Sequence, residues 1–303
     1  MQETVVVTEA DSREGRSVAT ALLQDGGFKL TAALKDLSGP DAVQLQTAGA
    51  DTILQDPRNL SSLEAALSVA QKCVVITTTD FQDPDPLKRE IWQGYWLADS
   101  CKKQNVGHVI FLGQHHVHRK YGFPARHMDA KASINDYMTE IKLPKTEIIS
   151  PFYFENFLYT FKPIAAGHDV YKLALPMGDT ALDGISLAQI GSIVASVLKN
   201  PHCWIGKSCS LSADRLLLHE YAATLSQLLH PKQFQDARVS VRSFVGSYRG
   251  PGARDLGNMF EFWKKGSQRM NRAMTAELCP ELQTFHMWVS ENKEQLRRAL
   301  EDA

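Results

Sequence analysis

Chemistry first suggests itself at residues 5–23, VVVTEADSREGRSVATALL, where a β-branched run passes through a short turn into a helix-like pattern. Pyrophosphate binds at such a place, because backbone N–H groups and the positive end of a first helix converge there. The turn needs glycine, since a Cβ would block close backbone approach and left-handed φ values. Set against G-x-x-G-x-x-G, the glycine positions fall at Glu9, Ser12 and Gly15. Two of the three are substituted, one by an acid whose charge opposes a diphosphate. Asp11-Ser12-Arg13-Glu14 reads instead as a capping box. In that reading the Asp11 carboxylate fills the anion site and satisfies the helix N-terminus internally. The competing reading leaves Asp11 an exposed turn residue, with Arg13 and Arg16 drawing phosphate in.

At the end of the second strand stand Lys35 and Asp36. An acid there takes the ribose hydroxyls of NAD, whereas a basic residue meets the 2′-phosphate of NADP, and Lys35 leans towards NADP. The candidate cofactor contacts of this half are Ser12, Arg13, Glu14, Gly15, Lys35 and Thr78. His115, His116 and His118 form a cluster in which His116 and His118 would share one side of an extended chain, as a metal pair does. No third carboxylate or cysteine ligand is local, so a polar loop accounts for them and no metal site is expected. Trp92 and Trp96, spaced i, i+4, read as a buried helix face. The stretch 264–272, KKGSQRMNR, reads as a solvated basic face.

The elements that must position these residues alternate over the first 150 positions. Strand patterns at 4–8, 28–34, 51–56, 72–79, 108–113 and 146–151 are separated by helical ones, including 60–70 and about 128–141. Sustained alternation of this kind is the mark of right-handed βαβ units in an α/β, doubly wound parallel sheet. Beyond 151 the pattern loosens. Helices are expected at 186–198, with Ser186 and Gln189 as a capping box, at 214–229 and at 281–300. This half reads as a smaller mixed domain packed over the carboxyl edge of the sheet.

The chain has 303 residues, 44% hydrophobic and 22% charged, with a formal net charge of −1. That balance gives no electrostatic footprint for direct nucleic-acid or membrane binding. No run approaches the length of a bilayer span, and the N-terminus lacks a signal-peptide pattern. Five cysteines without a C-x-x-C pair read as reduced thiols in a cytoplasmic or nuclear protein.

Several segments then resemble one family, the NmrA-like atypical short-chain dehydrogenases. SPFYFENFLYTFKP (150–163), LALPMGDTALDGISLAQIGSIVASVL (173–198), GPGARDLGNMFEFW (250–263) and HMDAKASINDYM (127–138) carry the resemblance, nearest to the family's animal redox-sensing members. It implies a Rossmann-type domain over 1–151 and a smaller mixed α/β domain over 152–303, with helix 186–198 packing back on the Rossmann sheet. Family members bind NADP(H), and many regulate protein partners according to its redox state. Relatives of the isoflavone- and quinone-reductase types are enzymes. By the same resemblance Asn156, and less directly Tyr153, face the cofactor.

Short-chain dehydrogenases use a Ser-Tyr-Lys arrangement, the tyrosine as proton donor or acceptor and the lysine to lower its pKa and hold the nicotinamide ribose. In this sequence His127-x-x-x-Lys131 stands where Tyr-x-x-x-Lys would be, and Leu112 or Gly113 stands at the serine position. Lys131 and His127 are therefore the catalytic candidates, without the group that holds a substrate carbonyl. Three functions are open on the sequence. One is a regulatory redox sensor with a degenerate NADP(H) site, weak or lost, acting through protein partners and as a homodimer. The second is an NADPH-dependent reductase of quinones or carbonyls using Lys131 and His127, and the third a cofactor-free interaction scaffold.

Overall fold

The computed structural model describes residues 2–56, 61–266 and 268–301. Leu60, the expected start of the third helix, and Ser267, within the basic stretch, lie outside them. The chain divides into two units, one of residues 1–116, 126–149 and 187–209, the other of 117–125, 150–186 and 210–303.

The first unit follows the alternation. Its elements are β1 (Glu3–Val7), α1 (Arg13–Asp25), β2 (Phe28–Leu34), α2 (Pro40–Thr47), β3 (Asp51–Leu54), α3 (Ser61–Leu67), β4 (Lys72–Val75), α4 (Pro86–Lys103), β5 (His108–Gly113), α5 (Arg126–Glu140) and β6 (Lys145–Ile149). The strands pair in the order β6-β5-β4-β1-β2-β3, all in parallel register, with the short strand Ser208–Ser210 added beside β6. The order reverses between β1 and β4, the topological switch point where doubly wound sheets hold their ligands. Val5, Val6 and Val7 are fully buried, as the central strand of a sheet covered on both faces requires.

Strand β4 is shorter than the expected 72–79. After Val75 the chain leaves the ladder, and the Ile76 N–H bonds to the Thr8 hydroxyl (2.8 Å) instead of to a neighbouring strand. Trp92 departs from expectation too, being 56% exposed, while Trp96 packs against the core beneath α4. The helix Ile190–Lys199 belongs to this unit and docks on α1. Ser17 of α1 donates its hydroxyl to the Leu187 carbonyl (2.7 Å) and accepts the Gly191 N–H (3.0 Å). A Cβ on Gly191 would lie 2.1 Å from the Ser17 carbonyl oxygen.

In the second unit the strands Phe152–Tyr153, Leu182–Ile185 and Asp214–Leu216 form one small sheet, and Ile164–Gly167, Val170–Leu173 and Gln233–Asp236 another. The expected helix 214–229 thus begins as a strand and becomes helical at Leu218–Leu228. The expected helix 281–300 is two, Phe285–Glu291 and Lys293–Glu301, parted at Asn292. The Ser186 hydroxyl donates to the Glu155 carboxylate (2.8 Å), and a 3₁₀ turn, Leu187–Gln189, leads into the helix Ile190–Lys199, whose N-cap is Gln189. Phe154, Phe157, Tyr221, Phe285 and Trp288 form the aromatic core. Among the described residues no helix is long and apolar enough to cross a membrane.

At the amino edge of the sheet His108 sits opposite Lys72 and is 1% exposed. The Thr146 hydroxyl gives its proton to the Trp204 carbonyl (2.8 Å), so His108 donates from Nε2 to Thr146 Oγ1 (2.8 Å). Burial, then the Lys72 charge, lowers the His108 pKa from 6.5 to about 4. The unfolded chain therefore takes the proton first. Stability is fully present above pH 6.5 and is lost as the pH falls towards 4, by roughly 3 kcal/mol.

Two outcomes are expected from this packing. Gly191→Ala should lower unfolding free energy by about 1–3 kcal/mol in urea titration, because the added Cβ meets backbone that cannot give way. His108→Gln, which cannot titrate, should flatten the fall in stability expected of the parent protein between pH 6.5 and 4, measured by urea titration across that range.

Candidate functional site

Thr8 locks the centre of the crevice. Its N–H bonds the Val74 carbonyl (3.0 Å) and its hydroxyl donates to the Ile76 carbonyl (3.0 Å), joining the ends of β1 and β4. The chain then turns at Glu9 with φ +50°, the left-handed conformation that a glycine would adopt freely. Ser12, not Asp11, is the N-cap of α1. Its Oγ accepts the Gly15 N–H (3.0 Å), and Gly15, not Glu14, is the third helical residue. The Asp11-x-x-Glu14 box therefore does not form, since the helix begins one residue later than that spacing assumes. Asp11 instead accepts the Lys35 backbone N–H (3.0 Å). Gly15 is obligatory here, because a Cβ would come within 2.1 Å of the Glu9 carbonyl oxygen and 2.7 Å of the Ala10 Cα.

The acid that fills the crevice is Glu9. It is 2% exposed, and its carboxylate is met from four segments of chain. Lys35 Nζ, just after β2, lies 2.5 Å from Oε2, and the Thr78 hydroxyl, after β4, donates to the same oxygen (2.9 Å). Gln93 of α4 donates to Oε1 (3.0 Å), as does Gln55 after β3 (3.3 Å). The Gln55 side-chain oxygen also accepts the Glu9 N–H (2.8 Å), which fixes the turn as well as the side chain. A buried carboxylate is tolerable only when paired and hydrogen-bonded, and Glu9 is both.

A second internal acid occupies the other half of the crevice. Lys131 of α5 is ion-paired with Glu90 of α4, whose carboxylate is 1% exposed and also accepts hydrogen bonds from Thr77 (2.7 Å) and Thr79. Burial pushes the Glu90 pKa up, but the Lys131 charge and the hydrogen bonds from Lys131, Thr79 and Thr77 outweigh it, leaving the value below its ordinary 4.5. The ionised pair adds stability above that pH, lost only as the pH falls through the lower folded value.

At Gly113, one of the two residues at the serine position beside the buried Leu112, a third acid intervenes. A Cβ on Gly113 would lie 2.4 Å from Oε1 of Glu147, a buried residue of β6 that accepts the Ser208 hydroxyl (2.7 Å). Burial raises the Glu147 carboxyl above its ordinary range, against the Ser208 hydrogen bond and the Lys145 charge. The His127 ring packs edge-on to Phe81, with centroids 5.5 Å apart.

The first unit thus gathers Ser12, Gly15, Lys35 and Thr78 around the turn, with Arg13 and Glu14 half-buried in the first turn of α1. Arg16 points to the surface, bridged to Asp41 (3.0 Å). Tyr153, in the strand Phe152–Tyr153, and Asn156, in the following 3₁₀ turn, belong to the second unit. His116 bonds Asp136 (3.0 Å), and among the described residues no three potential ligands gather for a metal. Gln55, Glu90, Gln93 and Glu147 were not singled out by the sequence, since only the folded chain brings them to the strand ends. An anionic dinucleotide would have to compete with the chain's own carboxylates for this set. The lysines that would meet it, Lys35 and Lys131, are each neutralised by a buried carboxylate of the chain itself.

Comparison with known proteins places this geometry. The model of the NmrA-like family matches residues 1–286. An NmrA-like family domain-containing protein of Dictyostelium discoideum is 24% identical over 242 residues, covering 77% of this chain and 79% of the relative. Among solved structures, the negative transcriptional regulator NmrA in complex with NADP superposes with a TM-score of 0.80 at 19% identity, covering 98% of both chains. An NADPH-dependent quinone oxidoreductase of Escherichia coli, complexed with NADPH, gives 0.77 at 18% identity, covering 95% of this chain and 99% of that one.

The Lys131–Glu90 pair makes a distinctive demand. Lys131→Met strands a buried carboxylate and should cost about 3–5 kcal/mol in chemical denaturation. Lys131→Met combined with Glu90→Leu should recover most of that loss, because neither charge then remains to be desolvated.

Proposed function

Because the chain belongs to the NmrA-like family, we propose that it is a regulatory member that acts through protein partners and does not turn over a substrate. The observation that carries this reading is the engagement of Lys131 by Glu90. Short-chain dehydrogenase chemistry needs a lysine directed at the cofactor ribose and a neighbouring tyrosine, beside a serine that holds the substrate carbonyl. Here the lysine is directed at an internal acid, His127 takes the tyrosine position, and Glu147 fills the space in front of Gly113 where a serine side chain would project. A histidine can move protons near neutral pH. Without the serine and with Lys131 neutralised, it has neither a polarised carbonyl nor a positioned cofactor to serve.

The crevice keeps the form of an NADP(H) site, and neighbours of the same fold include both a transcriptional regulator complexed with NADP and a reductase complexed with NADPH. Weak NADP(H) binding, sensed as the cofactor's redox state and passed to protein partners, is the regulatory use of that form. Transcriptional control from the cytoplasm and nucleus, and a homodimeric state, complete the proposal. A near-zero net charge supports protein partners over direct contact with nucleic acid.

Steady-state NADPH oxidation with quinone and carbonyl acceptors tests the reading. The expected rate is that of buffer alone, together with NADPH affinity weaker than micromolar by calorimetry. Acceptor-dependent oxidation that disappears in Lys131→Met would overturn it in favour of a reductase.

A further inference from the structure

The Glu9 carboxylate does more than make the crevice unwelcoming. Lys35 follows β2, Gln55 follows β3, Thr78 follows β4, and Gln93 lies on α4, and all four turn a donor towards one anionic group. In an open α/β sheet, donors converging outside the strand ends at the switch point mark the place of a ligand. That ligand would be anionic, since Lys35 and the three neutral donors all point at negative charge. The group they hold is supplied by the chain. It is supplied from the residue at the first glycine position, in a backbone conformation that suits glycine and not glutamate.

We infer that Glu9 is a tethered substitute for the anionic group of a phosphate-bearing nucleotide. It cross-links the loops after β2, β3 and β4 to α4, holding the crevice in a ligand-occupied arrangement without a ligand. Glu9 thereby sets the affinity for any nucleotide phosphate, which must either displace the carboxylate or share Lys35 with a like charge. This rests on the crevice being of the nucleotide-binding type, as the proposed function holds. It concerns affinity and stability alone, so NADPH turnover would sink that function and leave this inference standing.

NADP⁺ and inorganic pyrophosphate, titrated by calorimetry and by thermal shift, test it on the full chain. Glu9→Gly suits the left-handed turn and empties the site, and Glu9→Gln removes the charge at nearly constant shape. Both variants should bind NADP⁺ at least tenfold more tightly than the parent protein. Their melting temperatures without ligand should be lower, and NADP⁺ or pyrophosphate should raise them by more than it raises the parent's. Failure of both variants to gain affinity would overturn the inference. Should Glu9→Gly not fold, Glu9→Gln alone decides. Lys35→Met supplies a second reading. It should leave NADP⁺ affinity unchanged in the parent but weaken it severalfold in the Glu9→Gln background. An equal loss in both backgrounds would show Lys35 already available to the nucleotide and would overturn the inference.

Discussion

A carboxylate removed from water must find its countercharge and hydrogen-bond donors inside the protein, and that requirement organises the crevice. Glu9 and Glu90 are both almost wholly buried, and each takes a lysine together with hydroxyl or amide donors. The consequences run outward from the two ion pairs. Lys35 and Lys131 lose their effective charge towards any visitor, Thr77, Thr78 and Thr79 are all directed at internal acids, and Gln55 and Gln93 are held against the turn. A site of this architecture ordinarily leaves such groups waiting for the phosphates and ribose of a dinucleotide. Here the same groups are satisfied before any ligand arrives. Buried ion pairs of this kind are worth little in net stability, yet breaking one of them is costly. The arrangement is therefore difficult to leave by small steps.

The fate of the three glycine positions separates what the fold needs from what a cofactor needs. Gly15 faces the Glu9 carbonyl so closely that any side chain would force α1 away from β1. That contact is between backbone and backbone and has nothing to do with phosphate. Glu9 and Ser12 stand where glycine serves ligand approach, and both have taken work within the chain itself. Glu9 supplies the anion and Ser12 supplies the cap for α1. Gly191 makes the same point elsewhere, admitting the Ser17 carbonyl to the helix Ile190–Lys199. Gly15 and Gly191 answer to backbone packing that no ligand requires, whereas the first and second glycine positions answer to the ligand's approach.

Much of this could be read before folding. Period and β-branched runs located six strands of the main sheet, since a buried strand leaves a local mark in the sequence, but not the three-residue strand Ser208–Ser210, too short to show a period. The acid at the first glycine position was visible as a defect. Its role was not, because the partners of Glu9 lie 26, 46, 69 and 84 residues away and nothing local announces them. The cap of α1 went to Ser12 instead of Asp11 for a similar reason. Both residue types cap well, and only the position of the first helical turn decides between them. Glu90 and Glu147 carried no signal at all, as each reads as an ordinary acid until Lys131 or Gly113 is brought beside it. Trp92 misled because an i, i+4 spacing says that side chains share a face but not which way the face looks.

A crevice that supplies its own anion changes what regulation through that crevice can mean. In a sensor the empty and occupied states differ by whatever the ligand ties together, and the coupling is the difference in free energy between them. When an internal carboxylate already joins the loops after β2, β3 and β4, ligand-induced ordering has little left to accomplish. The surface presented to a protein partner then changes only as far as nucleotide displaces Glu9. A member of the family built this way would hold one signalling state by default. Nucleotide could shift it only by binding more tightly to an arrangement from which Glu9 has been expelled.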